Sequence, residues 1–201
     1  IAFIDDDAYV ESNYCEEVIR YFTDNPDVLA IGGKITPVYE GPTPKWMSRF
    51  MLPLVAGLDM GENVREFSQS KYPIGANMAF SADVFRKYGN FNTSLGRRAD
   101  DKDMAFRLRK FGQKVFYVPY IHVRHIIPES RTQMDHIKKQ AIGVGKSEKI
   151  RLKDEGAKVK LKKIIEEIIK IVGSIVLAFY YLFTFRPEIS IMLLRFRVWI
   201  I

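Results

Sequence analysis

The opening seven residues constrain the fold more than any other stretch of the chain. Ile1-Ala2-Phe3-Ile4 reads as a short apolar strand that buries its side chains, and it runs directly into Asp5-Asp6-Asp7. Three carboxylates delivered together repel one another, because like charges this close disfavour joint ionisation. A divalent cation relieves that repulsion most simply, since Mg²⁺, Mn²⁺ and Ca²⁺ all take hard oxygen ligands. In open α/β sheets the crevice beyond the carboxyl ends of the strands is also where ligands bind. A solvated acidic turn, or an Asp cap for the following segment, would use the same residues without a ligand. The order of apolar strand and then acids favours the cation.

Downstream, strand-like and helix-like segments alternate. Ser12 or Asn13 can cap a helix over residues 14–22, where Val18, Ile19 and Phe22 share a face, and Asn25-Pro26 ends it. Residues 28–31 and 34–39 are strand-like. Gly32-Gly33 between them marks either two strands or one strand with a bulge. Gly41-Pro42-Thr43-Pro44 is a loop signal, and residues 45–60 read as irregular or short-helical. The aromatics there, Trp46 and Phe50, suit core packing, or stacking on a sugar ring if exposed. Residues 61–71 read as a polar, mobile loop. Small residues at Gly75 and Ala76 would let backbone approach a ligand, and the apolar run after them reads as a strand. Ser81 caps a helix over 82–88 that Gly89 closes, and a loop follows, ending in Gly96-Arg97-Arg98.

Asp100-Asp101-Lys102-Asp103 then opens a helix closed by Gly112, with acids in its first turn and bases in its last. That distribution suits the helix dipole. It does not explain two tandem acids at the very start, where a helix opening onto a crevice would present them. Residues 114–118 and 121–123 are strand-like around Pro119, with His122, Arg124 and His125 beyond. A lone His is more often structural than a ligand. Cys15 is the one cysteine, which excludes an internal disulfide framework and fits a reducing compartment; with no His nearby it is a poor nucleophile.

Taken in order, Phe3-Ile4-Asp5-Asp6-Asp7, Gly75-Ala76-Asn77-Met78-Ala79-Phe80, Asp100-Asp101 with Arg107-Leu108-Arg109-Lys110-Phe111-Gly112, and Val118-Pro119 with His125 resemble a family 2 glycosyltransferase with the GT-A fold. The resemblance covers residues 1–131. It implies an α/β chain with a Rossmann-like mixed sheet and an inverting transfer of sugar from a nucleotide-sugar donor. By that resemblance Asp5-Asp6-Asp7 is the Asp-X-Asp motif. Asp7 would hold the metal, Mg²⁺ or Mn²⁺, on the donor pyrophosphate; Asp5 would meet the nucleoside or help the metal, and Asp6 would sit against the donor. Gly75-Ala76-Asn77 resembles the glycine loop beside the donor sugar. Asp101 matches the catalytic base, with Asp100 on the donor side where Glu is commoner. His125 matches a histidine that reaches the metal.

The chemistry agrees with those residue types. Charge develops on the pyrophosphate as the sugar–nucleotide bond breaks, and a cation neutralises it. On the opposite face an acceptor hydroxyl attacks while a carboxylate takes its proton, the geometry of inverting glycoside hydrolysis with an alcohol replacing water. No covalent intermediate is needed, in keeping with the lack of a Ser/His or Cys/His nucleophile set. Family members carry an amino-terminal nucleotide-binding half before the Asp-rich strand, and nothing here corresponds to it. The expectation is therefore a fragment, cut at both ends, with residues 1–135 a partial catalytic domain. A catalytically silent carbohydrate- or metal-binding membrane protein on the same fold is the competing expectation, and a membrane scaffold with an incidental acidic loop is a third.

The net charge of +7 is concentrated: residues 131–170 carry twelve Lys/Arg against six Asp/Glu. The block lacks interleaved aromatics or a reading motif, which argues against nucleic acid. Residues 136–160 read as a basic connection and 161–201 as a membrane-associated or transmembrane helical region. Residues 168–185 are almost wholly apolar, and at ~1.5 Å per residue they would span about 27 Å, close to a hydrocarbon core. A transmembrane helix, an interfacial helix and a buried partner-contact helix all fit this pattern. With either membrane mode the basic block lies against anionic lipid on the cytoplasmic side. The expected partners are a nucleotide-sugar donor, a glycan or lipid-linked acceptor, and the membrane.

Overall fold

The structure, a computed structural model, describes residues 1–95, 100–153 and 155–200. Gly96-Arg97-Arg98, read above as the end of a loop, lies outside them. The chain divides into two compact units, Ile1–Glu40 with Val55–Pro128, and Gly41–Leu54 with Glu129–Ile201.

The first unit runs β1 (Ala2–Ile4), β2 (Ala8–Val10), α1 (Tyr14–Asp24), β3 (Ala30–Tyr39), β4 (Arg65–Glu66), β5 (Asn77–Phe80), α2 (Asp83–Tyr88), α3 (Asp100–Lys110) and β6 (Val115–Ile127). Among the described residues the strands form one mixed sheet in the order β1-β5-β3-β6-β2, with β4 also on β6. β3 and β6 pair parallel, and the remaining pairs are antiparallel. Side-chain alternation along the strands feeds two separate cores. Ala30, Met78, Phe80, Val115 and Tyr117 meet Val84 of α2 and Met104 and Leu108 of α3 on one face. Ile31, Ala79, Val118, Ile121 and Val123 meet Tyr14 and Tyr21 of α1 on the other.

Three local expectations change here. β1 is an edge strand: Ile1 and Ile4 are exposed, and Phe3 alone turns inward, edge-on to Phe80 and Phe91. The loop read at 61–71 carries β4 and a fully buried Phe67, whose ring packs against Tyr117. One aromatic in a polar stretch was enough to pin that segment to the core. Asn13 does occupy the N-cap of α1, but its side chain reaches Glu17 (3.4 Å) rather than the helix backbone.

The second unit contains α4 (Glu129–Thr132), α5 (Met134–Arg151), α6 (Ala157–Phe183) and α7 (Pro187–Ile200). Pro187 opens α7 at the first helical position, where its missing N–H costs nothing. Met51, Ile137, Ile189, Met192 and Leu193 form the core, with Trp46 and Trp199 against it, so Trp46 packs rather than standing free. Much of the basic stretch expected to be a connection is the body of α5. Among the described residues no helix is long and apolar enough to cross a membrane, so the transmembrane reading does not hold. The reason is where α6 stops. It ends at Phe183, and the roughly eighteen residues that a span needs, counted back from there, take in Glu166, Glu167 and Lys170.

The tightest point of the fold lies in the first unit, between β3 and β6. Their register holds from Ala30↔Val115 to Gly33↔Val118 and resumes at Lys34↔His122, so residues 119–121 bulge out of the ladder. Pro119, which has no N–H to donate, sits inside the bulge. The buried Asn77 side chain fills the break. Its Nδ2 donates to the carbonyls of Ile121 (2.8 Å) and Lys34 (3.0 Å), and its Oδ1 accepts the Tyr14 hydroxyl (2.9 Å). Burial pushes the Tyr14 phenol up to about 12, with a smaller contribution from Cys15. A Cβ on Gly33 would stand 1.7 Å from the Ile121 carbonyl oxygen and 2.2 Å from Asn77 Nδ2. Gly33→Ala is accordingly expected to cost about 3 kcal/mol or more in a urea melt. Gly75→Ala, where a Cβ meets nothing within 4 Å, should stay within about 1 kcal/mol.

Candidate active site

The Asp-rich turn is shaped by backbone pairing. The Ala8 N–H donates to the Asp5 carbonyl (3.1 Å), closing a turn over Asp6 and Asp7, and the Ile126 N–H donates to the Asp7 carbonyl (2.9 Å). β2 then pairs with β6 in the register Ala8↔His125. That pairing carries His125, 118 positions away in sequence, next to the acids: Nε2 lies 2.8 Å from Asp7 Oδ1 and 3.8 Å from Asp5 Oδ2. His125 is 2% exposed, and its Nδ1 faces the Val55 carbonyl at 3.4 Å.

Two carboxylate oxygens and one imidazole nitrogen thus lie within 4.8 Å of one another, with Asp5 open to solvent and His125 closed off. An Nδ1 proton directed at Val55 would leave an Nε2 lone pair facing Asp7. In the other tautomer Nε2–H donates to Asp7 Oδ1, so the same nitrogen serves either as a hydrogen-bond donor to the carboxylate or as a ligand beside it. The donor set of oxygen and imidazole ligands, with solvent on one side, fits Mn²⁺ or Mg²⁺. The histidine's backbone partner is the outer-shell contact that fixes ring orientation at such centres. Asp6 is exposed beside them.

Asp101 stands in the first turn of α3, with Asp100 before it. Its Oδ2 accepts the Gly75 N–H (3.2 Å) and its Oδ1 the Lys102 N–H (2.6 Å). Burial pushes the Asp101 carboxyl up to about 6 and the charge on Asp100 adds to the rise, while the two N–H donors oppose it. The sheet relates this group to the Asp-rich turn. Ile4 pairs with Asn77, so the segment leaving β1 as Asp5-Asp6-Asp7 and the segment entering β5 through Gly75 lie at the same end of two adjacent strands. Gly75, bonded to Asp101, belongs to that margin.

The residues of the glycine loop divide. Ala76 and Asn77 are turned into the core, so what they can offer a ligand is main chain. Gly75 has open space where a side chain would be. Sequence reasoning missed three parts of this arrangement: the Gly75 N–H as a partner of Asp101, the Asn77 side chain as the clamp of the bulge, and Val55 behind His125. Gly32-Gly33 and Pro119 were the available signals for the bulge. For Val55 no signal existed, since a backbone carbonyl is invisible to side-chain pattern. Lys102 was also passed over; its ammonium lies over the rings of Tyr72 (5.9 Å) and Phe106 (5.5 Å). A shallow depression lined by Glu16, Ile19, Arg20, Thr23 and Asp24 lies on α1, on other residues altogether.

A mixed sheet with helices on both faces and acids at its strand ends is consistent with the GT-A architecture expected from the motifs. The chain belongs to glycosyl transferase family group 2, whose family model matches residues 1–195. It is also similar to the glucosyl-dolichyl phosphate glucuronosyltransferase of Haloferax volcanii, 29% identical over 160 residues, which is 75% of this chain and 50% of that protein. The chain therefore spans about half the length of that curated relative.

If Asp5, Asp7 and His125 grip a cation, Asp7→Asn and His125→Ala should each weaken Mn²⁺ affinity by about tenfold or more. Electron paramagnetic resonance of free Mn²⁺ measures this without turnover. Asp83→Asn, an acid on the far α2 surface, should leave it unchanged.

Proposed function

We propose that the protein transfers a sugar from a nucleotide-sugar donor to an acceptor hydroxyl with inversion, using a divalent metal, in the synthesis of a glycolipid or surface glycan. The observation that carries the reading is the Gly75–Asp101 hydrogen bond taken with the Ile4↔Asn77 register. Together they supply what an in-line displacement needs: a proton acceptor at the same sheet margin as a cation-binding group.

In this reading Asp7, Asp5 and His125 hold Mg²⁺ or Mn²⁺, which when bound neutralises charge developing on the leaving pyrophosphate. Asp6, the Gly75-Ala76-Asn77 main chain and Asp100 border the donor. Asp101 removes the acceptor proton. Its carboxyl, raised to about 6, is ionised at neutral pH yet more basic than an ordinary aspartate. The two backbone donors fix which oxygen lone pairs remain for the acceptor.

The name of the Haloferax volcanii relative favours a lipid-linked acceptor. A hydrophobic acceptor in turn favours a membrane-associated protein with its catalytic unit on the cytoplasmic side, where nucleotide sugars are made. Nucleic acid has no part in this reading.

The decisive test is transfer from nucleoside-diphosphate sugars to a polyprenyl-phosphate-linked acceptor. Asp101→Asn should lower kcat by about 10²–10⁴-fold with donor affinity nearly unchanged; an unaltered rate would refute the base assignment. Chelation should abolish transfer and Mn²⁺ restore it, so full activity in EDTA would refute the metal dependence. The pH profile offers a further check. Because the folded carboxyl is raised above its ordinary value of 3.8, the base is lost on acidification through about pH 6 rather than about pH 4. kcat/KM should fall about tenfold per unit below that point, with a slope of one proton.

A further inference from the structure

In the second unit, α6 is built inside out. Lys163, Glu167, Lys170 and Ser174 follow one another at helical spacing, and all four are half-buried or buried. Lys163 reaches Glu167 (2.8 Å) and Glu148 of α5 (3.1 Å), Lys170 reaches Glu167 (2.8 Å), and Arg197 of α7 donates to the Ser174 hydroxyl (2.9 Å). Burial works against ionisation of Glu167, but the hydrogen bonds from Lys163 and Lys170 outweigh it and hold the carboxyl below its ordinary range. Arg151 of α5 closes the network on Glu148 (3.0 Å).

The opposite stripe of the same helix, Ile165, Ile169, Val172, Val176 and Phe179, is exposed along its whole length. At ~1.5 Å per residue α6 is about 40 Å long. The stripe ends at the turn into α7, where Phe185 is 94% exposed and holds a left-handed φ of 56°. A bulky aromatic is rarely found there. Water-soluble helices put charge outward and apolar groups inward. The reverse, with ionisable groups paired inside a helical unit, is what a hydrocarbon environment selects.

The structure assigns this face to an anionic lipid bilayer: we propose that α6 lies in the plane of the membrane surface, with its outward stripe and Phe185 among the acyl chains. The inference deepens the membrane association proposed above and rests on it. Charge selects the occupant. Lys158, Lys160 and Lys162 are exposed at the start of α6 and Arg186 and Arg195 near the turn and on α7; all suit lipid phosphates. A symmetric second copy would lay these same cations against one another, which is unfavourable. Among the described residues no helix is apolar enough to cross the bilayer, which agrees with α6 lying in its surface.

Flotation of the full chain tests this with vesicles of phosphatidylcholine alone and of phosphatidylcholine with about one-third phosphatidylglycerol. The protein should float with the anionic vesicles and markedly less with the neutral ones. Ile169→Glu with Val176→Glu should reduce recovery about tenfold, with helical content unchanged by circular dichroism. Ile169→Leu with Val176→Leu should float as the parent does. Lys158→Gln, Lys160→Gln and Lys162→Gln together should erase the preference for anionic lipid. Failure of the parent to float with either vesicle overturns membrane association itself. A parent that floats, with the Glu pair floating equally well, overturns this docking face alone. A dimer by light scattering that the Glu pair splits, with flotation unaffected, assigns the stripe to a second copy instead. Transfer to a water-soluble acceptor, measured on the same preparations, reports on the catalytic reading independently.

Discussion

Everything in the first unit depends on a break in the central pair of strands. β3 and β6 could not run as a regular parallel ladder through Pro119, and the fold resolves this by ejecting residues 119–121 and inserting the Asn77 amide. The amide satisfies the carbonyls of Ile121 and Lys34 at the break, and leaving the buried one at Ile121 unpaired would cost about 1–3 kcal/mol. Beyond the break β6 also pairs with β2 in the register Ala8↔His125, which brings His125 to the Asp-rich turn. Gly33 is the one residue type that leaves room for this junction.

Electrostatics divides the acids into two kinds. Asp5 and Asp7 lie near an imidazole and solvent, a cluster whose donor atoms could hold a cation. Asp101 is partly buried, beside another carboxylate and under two N–H donors, which makes it more basic without keeping it protonated at neutral pH. Sequence position alone separates them by nearly a hundred residues, and the β1–β5 pairing brings their segments to one margin. Such a contrast in environment is how carboxylates on one scaffold come to differ in role.

How much of this could be read beforehand follows from what each residue contributes. The Asp-rich turn, the helix opening with Asp100-Asp101 and the closing glycines Gly89 and Gly112, both with positive φ, announce themselves through side-chain type and local punctuation. Gly32-Gly33 left open two strands or one bulged strand; β3 is one continuous strand, and the extra residues at that point belong to its partner β6. Illegible were groups whose role is long-range. Phe67 looked like part of a polar loop because one buried ring leaves no period to detect. Asn77 read as a ligand-side residue because nothing local marks it as a clamp. The apolar run at 168–185 gave no sign that the charges of α6 would turn toward its neighbouring helices, because periodicity carries no direction.

The two hydrogen bonds on Asp101 both come from main-chain nitrogen. A carboxylate aimed by peptide groups keeps its bearing whatever side chains decorate the loop and helix that supply them. The side chains of Tyr72 and Lys102 can therefore change without altering those two main-chain donors, so the surroundings of this carboxylate are free to diversify while its orientation stays fixed.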